Sequence, residues 1–169
     1  MDSQTLKNMQ EPFKARYREE PGAATITLRA EGRLGEGVSC SVQTGKAVIE
    51  AGLHPATGGS GLQACSGDML LEALVACAGV TLGAVATALD IRLEDATLRA
   101  EGDLDFRGTL GIDREAPVGF AAVRLAIELK TDEPQDRIDT LLKLTERYCV
   151  VYQTIRNATP ISHSLERSG

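Results

Sequence analysis

Ser66-Gly67-Asp68-Met69-Leu70-Leu71-Glu72-Ala73-Leu74-Val75-Ala76-Cys77, continuing as Ala78-Gly79-Val80-Thr81-Leu82-Gly83-Ala84-Val85-Ala86-Thr87-Ala88-Leu89, is the stretch that decides the fold. From Met69 onward it is apolar almost all the way round, and only Glu72, Thr81 and Thr87 interrupt it. Ser66 suits an N-cap, and Asp68 in the first turn suits the positive end of a helix dipole. Gly79 and Gly83 leave room for a close neighbour. A helix with no polar face is expected to be buried on all faces. It has the length of a membrane span. However, Ala, Gly and Thr supply much of it, and hydrophobicity that weak favours a core helix over a span.

Before this helix the sequence reads as strands. Phe13–Arg18 alternates weakly, and Ala24–Ala30 alternates clearly, as a half-buried strand does. Val38–Val42 and Ala47–Leu53 are further strand candidates, with Thr44-Gly45 as a hairpin signal. The segment 54–67 is a loop rich in Gly, Pro and Ser. After the helix, Ile91–Phe106 and Val118–Leu129 read as strands joined by a polar connection, Arg107–Pro117. Pro134 suits the first position of a second helix, with Asp132 or Glu133 as its cap. Ile138, Leu141, Leu142, Thr145 and Tyr148 then keep helical spacing up to Cys149. A further helical turn follows over Val150–Arg156, and Ile161–Leu165 reads as a last strand. Runs of strands separated by single helices predict α+β packing.

The length of 169 residues predicts one domain over 1–169, with 1–10 as a flexible or loosely docked terminus. There is no Trp, and the aromatics are three Tyr and three Phe, so the core must be mostly aliphatic. The formal net charge of −6 argues against nucleic acid and anionic membranes as partners. Met1–Glu20 lacks the apolar centre of a secretory signal, so the expected compartment is the cytoplasm.

Cysteines stand at 40, 65, 77 and 149, and none of their spacings is that of a zinc ribbon or a thioredoxin motif. The bland reading of each is a small buried hydrophobe. Cys40 alternates within a strand and reads as packing. Cys65 precedes the helix start, where a thiol can have a lowered pKa. Cys77 lies mid-helix in apolar surroundings, which raise a thiol pKa, so its reactivity would need a nearby cation. His54 and His163 have no matching cysteines, so no metal set is expected. No cofactor motif appears; the Gly-rich loop at 58–61 lacks a following Lys-Ser/Thr and is a turn.

The residues 58–59 (Gly-Gly), 66–77, Cys149 and Ala158-Thr159-Pro160 together resemble the OsmC-like superfamily, which includes osmotically inducible protein C and the organic hydroperoxide resistance proteins. The resemblance runs from about Arg33 to Leu165. It implies an intertwined homodimer with two antiparallel-rich sheets wrapped around central helices. It also implies a peroxidase reducing organic hydroperoxides, in which Cys77 attacks the peroxide and becomes a sulfenic acid. Cys149 would resolve it as a disulfide, and a dithiol or lipoyl-type reductant would restore the pair. Arg33 best matches the family's thiolate-holding arginine, with Arg29 and Arg16 as alternatives. Asp68, then Glu72, matches the carboxylate that steadies it. Met69, Leu70 and Leu74 offer an apolar surface for the alkyl part of a hydroperoxide. Two positions depart from the peroxidase pattern: Ser66-Gly67-Asp68 stands for the usual Asn-Pro-Glu, and Val150 stands where Pro often follows the second cysteine. These departures favour a second reading, a non-catalytic dimer binding a small apolar ligand; a third, a thiol redox sensor, shares the cysteines with the peroxidase.

Overall fold

The computed structural model describes residues 2–24, 32–34, 39–44 and 47–167. The expected strand at Ala24–Ala30, with Arg29, falls almost wholly outside them. The chain opens with helix α1, Ser3–Glu19, capped by the Asp2 carboxylate accepting from the Thr5 N–H at 2.7 Å. The strand expected at Phe13–Arg18 is therefore helical, and residues 3–10 belong to the same helix. Strands β1 (Gly32–Leu34), β2 (Ser39–Thr44) and β3 (Ala47–Gly52) form an antiparallel sheet in that order. Thr44 pairs with Ala47 at the expected hairpin.

Helix α2, Ser66–Ala88, follows the loop. It is capped by Cys65 rather than Ser66, and the Cys65 side chain makes no capping bond. Strands β4 (Asp95–Leu104) and β5 (Phe120–Lys130) form a long antiparallel hairpin, with a short helix α3 (Phe106–Thr109) inside the polar connection. Their alternation does what period-two sequences do. Leu98, Ile127 and Leu129 turn inward, while Arg124 turns outward to Glu101 and Asp103.

Helix α4, Gln135–Tyr148, closes the core. Pro134 itself is the cap and makes no side-chain bond, which corrects the expected cap at Asp132 or Glu133. The Glu133 carboxylate is engaged elsewhere, accepting from the Arg92 N–H at 3.2 Å and pairing with Arg137 at 2.9 Å. Arg137 in turn donates to the carbonyls of Leu89 and Asp90, at 2.8 and 3.0 Å. These are free acceptors at the end of α2, and the bonds fix α2 against α4. Helix α5, Val150–Arg156, starts directly after Cys149. Residues 157–167 carry no regular structure and are exposed, so the strand expected at Ile161–Leu165 is not formed; strand backbone needs a ladder partner.

The core gathers on one side of α2. Leu82, Val85 and Ala86 pack with Ile91 and with Leu141 of α4. Leu74 and Ala78 continue the same buried line. Burial on all faces is not observed within one chain: Val80 is 76% exposed, and a Cβ added at Gly83 would meet nothing within 4 Å. By length and mean hydropathy α2 is the one helix among the described residues able to cross a membrane. Within this chain it packs against α1, β4, α4 and α5 on one side.

Candidate active site

Cys77 sits at the middle of α2, and Cys149 forms the joint between α4 and α5. Cys149 has an extended backbone (φ −73°, ψ 108°), which ends α4 and lets α5 restart at an angle. Its N–H still donates to the Thr145 carbonyl and its carbonyl accepts from the Gln153 N–H, both at 3.0 Å. This break points the first N–H groups of α5 at α2. Such groups have no partner inside their own helix.

The two sulfurs meet there as free thiols. Burial pushes the Cys77 thiol up. The Val151 N–H, the Cys149 thiol and the Val150 N–H lie near its sulfur, and their polarity together holds it below the ordinary thiol range. The Thr81 hydroxyl lies beside the sulfur too. Its one proton goes to the Cys77 carbonyl at 2.7 Å, so its share is the least. For Cys149, burial again acts first and pushes the thiol up; it is 1% exposed. The Tyr152 N–H pulls it down, but the neighbouring Cys77 charge raises it further. The pair is thus unequal: the Cys77 thiol is shifted down and the Cys149 thiol up.

The helix geometry sorts the other expected residues. At 100° per residue, Leu70 lies about 20° and Leu74 about 60° from Cys77 around α2. Both line a cavity of about 590 Å³ with Phe120, Val123, Leu125 and Tyr152. Met69 is half-buried and is not among its walls. Asp68 lies about 180° around the helix and about 13 Å along it from Cys77. It lines a separate cavity with His54, Cys65 and Phe106. Glu72 lies about 140° away and is exposed. Within one chain neither carboxylate reaches the thiol. The Arg33 backbone pairs with Ser41 in β1, and its side chain lies outside the described ones, as does that of Cys40. Arg16 is exposed, with Glu20 at 3.8 Å.

A second cavity, about 290 Å³, opens beside Cys149 between β5, α4 and Tyr152. The backbone donors of Val150 and Val151 were not singled out from the sequence. A signal for them was present, since a helix restarting straight after a cysteine presents its free N–H groups there. Among the described residues no group of three or more His, Cys, Asp and Glu is arranged to hold a metal.

The profile of the family described as OsmC-like protein matches residues 59–164, more than half the chain. The chain belongs to the OsmC-like family. No curated protein matches it. Solved structures similar to this OsmC-like protein include the OsmC-like protein of Mycoplasma pneumoniae, at 17% identity and a TM-score of 0.65, covering 79% of this chain and 89% of that one. The Legionella pneumophila organic hydroperoxide resistance protein OsmC is 21% identical, with a TM-score of 0.61 and coverage of 79% and 91%. The organic hydroperoxide resistance protein of Bacillus subtilis is 19% identical, with a TM-score of 0.55 and coverage of 79% and 93%. At these identities the likeness establishes the OsmC-like α+β fold.

Proposed function

We propose that this OsmC-like protein is a thiol-dependent peroxidase for organic hydroperoxides. The observation that carries the reading is the unequal thiol pair. Cys77 combines partial exposure with a lowered pKa, as a nucleophile needs. Its thiolate attacks the distal peroxide oxygen. The O–O bond breaks, the alkoxide leaves and takes a proton from water to become the alcohol, and Cys77 becomes a sulfenic acid. Cys149 then attacks the Cys77 sulfur, and the disulfide forms with release of water. A dithiol or lipoyl-type reductant exchanges with it and restores both thiols. Leu70 and Leu74 hold the alkyl part, and Arg33 is the proposed cation near the thiolate. Asp68, on the far face of α2, has no direct part at the sulfur of its own chain. A reducing compartment such as the cytoplasm suits free thiols.

The working unit is a homodimer, whose second copy covers the apolar face of α2 at Val80 and Gly83. An apolar face of this extent on one helix is uncommon on a monomer. V80K places a charge there and is expected to shift the protein from dimer to monomer by sedimentation; unchanged mass would exclude that face.

The activity is tested by following loss of cumene hydroperoxide with a dithiol donor. Wild type should turn over, and Cys77→Ser should be at least about a hundredfold slower. Equal rates would end the peroxidase reading. The cavity beside Leu70 keeps a second reading, a non-catalytic binder of a small apolar ligand. A thiol redox sensor would show oxidation of the pair without sustained turnover.

A further inference from the structure

The cavity beside Cys149 contains one acidic side chain. Glu146 lines it together with Cys149, Thr145 and Tyr152, while Val123, Leu125 and Ile127 of β5 close the other side. Glu146 precedes Cys149 by three residues, and side chains at that spacing on a helix are neighbours. Two residues of α5 reach back across the joint to hold it. Gln153 Nε2 donates to the Glu146 carbonyl at 2.8 Å, and the Arg156 guanidinium stands 4.0 Å from its carboxylate. Arg156 also lies over the Tyr152 ring, at 6.0 Å from its centroid. The groups facing Cys149 are therefore Cys77 from α2, Glu146 from α4, and Tyr152, with Arg156 behind it, from α5.

We propose that Glu146 is a positioning and proton-transfer residue for the resolving step, acting on Cys149 through water in this cavity. The inference rests on the peroxidase reading and deepens it. When the Cys149 sulfur attacks the Cys77 sulfenic acid, an S–S bond forms and the S–O bond breaks. The thiol proton must leave Cys149, and the departing hydroxide must gain one. The carboxylate accepts the first proton through water and returns one to the leaving oxygen as it departs, so the products are disulfide and water and Glu146 ends unchanged. A cavity of about 290 Å³ has room for several waters, each needing roughly 30 Å³, and it offers them polar partners. Thr145 gives its own proton to the Leu141 carbonyl at 2.8 Å, which leaves its hydroxyl as an acceptor. Gln153 holds the Glu146 main chain, Arg156 stands beside its carboxylate, and the first N–H groups of α5 lie near Cys77. One short helix thereby holds the groups acting on both sulfurs.

The test separates the two chemical steps in the full-length protein. One equivalent of cumene hydroperoxide is added to fully reduced wild type, E146Q, E146D and K143Q. Sulfenic acid is trapped with dimedone, and disulfide closure is followed by intact mass across pH. In E146Q, Cys77 should oxidise at the wild-type rate. Its disulfide should close about a hundredfold more slowly, with more trapped sulfenic acid. E146D should restore part of the rate, and K143Q, an exposed charge on the same helix, should match wild type. Closure in E146Q at the wild-type rate overturns the proposal. If wild type itself yields no sulfenic acid and no disulfide, the peroxidase reading fails first.

Discussion

Cys65 and Cys77 stand on the same helix and meet opposite circumstances. Cys65 occupies the N-terminal cap of α2, where free N–H groups gather, yet its side chain bonds none of them. Cys77 is three turns further on, where α2 has no free donors, and its sulfur lies near the N–H groups of Val150 and Val151 from another helix. The lesson is that position along a helix does not set a thiol's character by itself. What matters is whose helix start the sulfur faces, and at Cys77 that start was created by the break at Cys149.

The comparison breaks most simply by alkylation. With iodoacetamide across pH, site-resolved mass spectrometry should show Cys77 reacting with a midpoint below the ordinary thiol value near 8.5. Its pKa is depressed, so the thiolate persists as pH falls to that lower midpoint and is lost below it. If Cys65 outpaces Cys77 by tenfold near neutrality, the contrast is reversed. A smaller effect is expected from Cys149→Ala, which removes the thiol donor and leaves the backbone donors. The Cys77 midpoint should rise, slowing alkylation at neutral pH by about three- to tenfold. An unmoved midpoint would show that the thiols do not share a proton. The smallest effect is expected from Val150→Pro. It removes one N–H, fits the first position of α5, and follows a residue already extended, as proline requires. The midpoint should rise less than in Cys149→Ala, with thermal stability nearly unchanged.

Much of this was readable in the residues. The alternation at Val123, Leu125, Ile127 and Leu129 gave β5, and the spacing of Ile138, Leu141, Leu142 and Thr145 gave α4, because each period matches one geometry. The two cysteines were brought to notice by the OsmC-like resemblance. Sequence could not show them meeting, because contact between positions 77 and 149 depends on how α2 and α4 pack. The segment at Phe13–Arg18 misled because weak alternation is compatible with either period, and Leu6, Met9, Phe13 and Tyr17 fit a helix equally well. The segment at Ile161–Leu165 alternates properly but pairs with no strand among the described residues. Asp68 entered through the resemblance, as the carboxylate that steadies an arginine; within one chain it stands about 180° around α2 from Cys77.

The joint at Cys149 has a mechanical consequence. A covalent link there to Cys77 would fasten the middle of α2 to the corner between α4 and α5, closing a circuit of roughly seventy residues. A tie of that span adds about 4 kcal/mol against unfolding by the chain-entropy argument. The spent form of the protein would then be its sturdier one, and each regeneration by a reductant would return it to a looser resting shape.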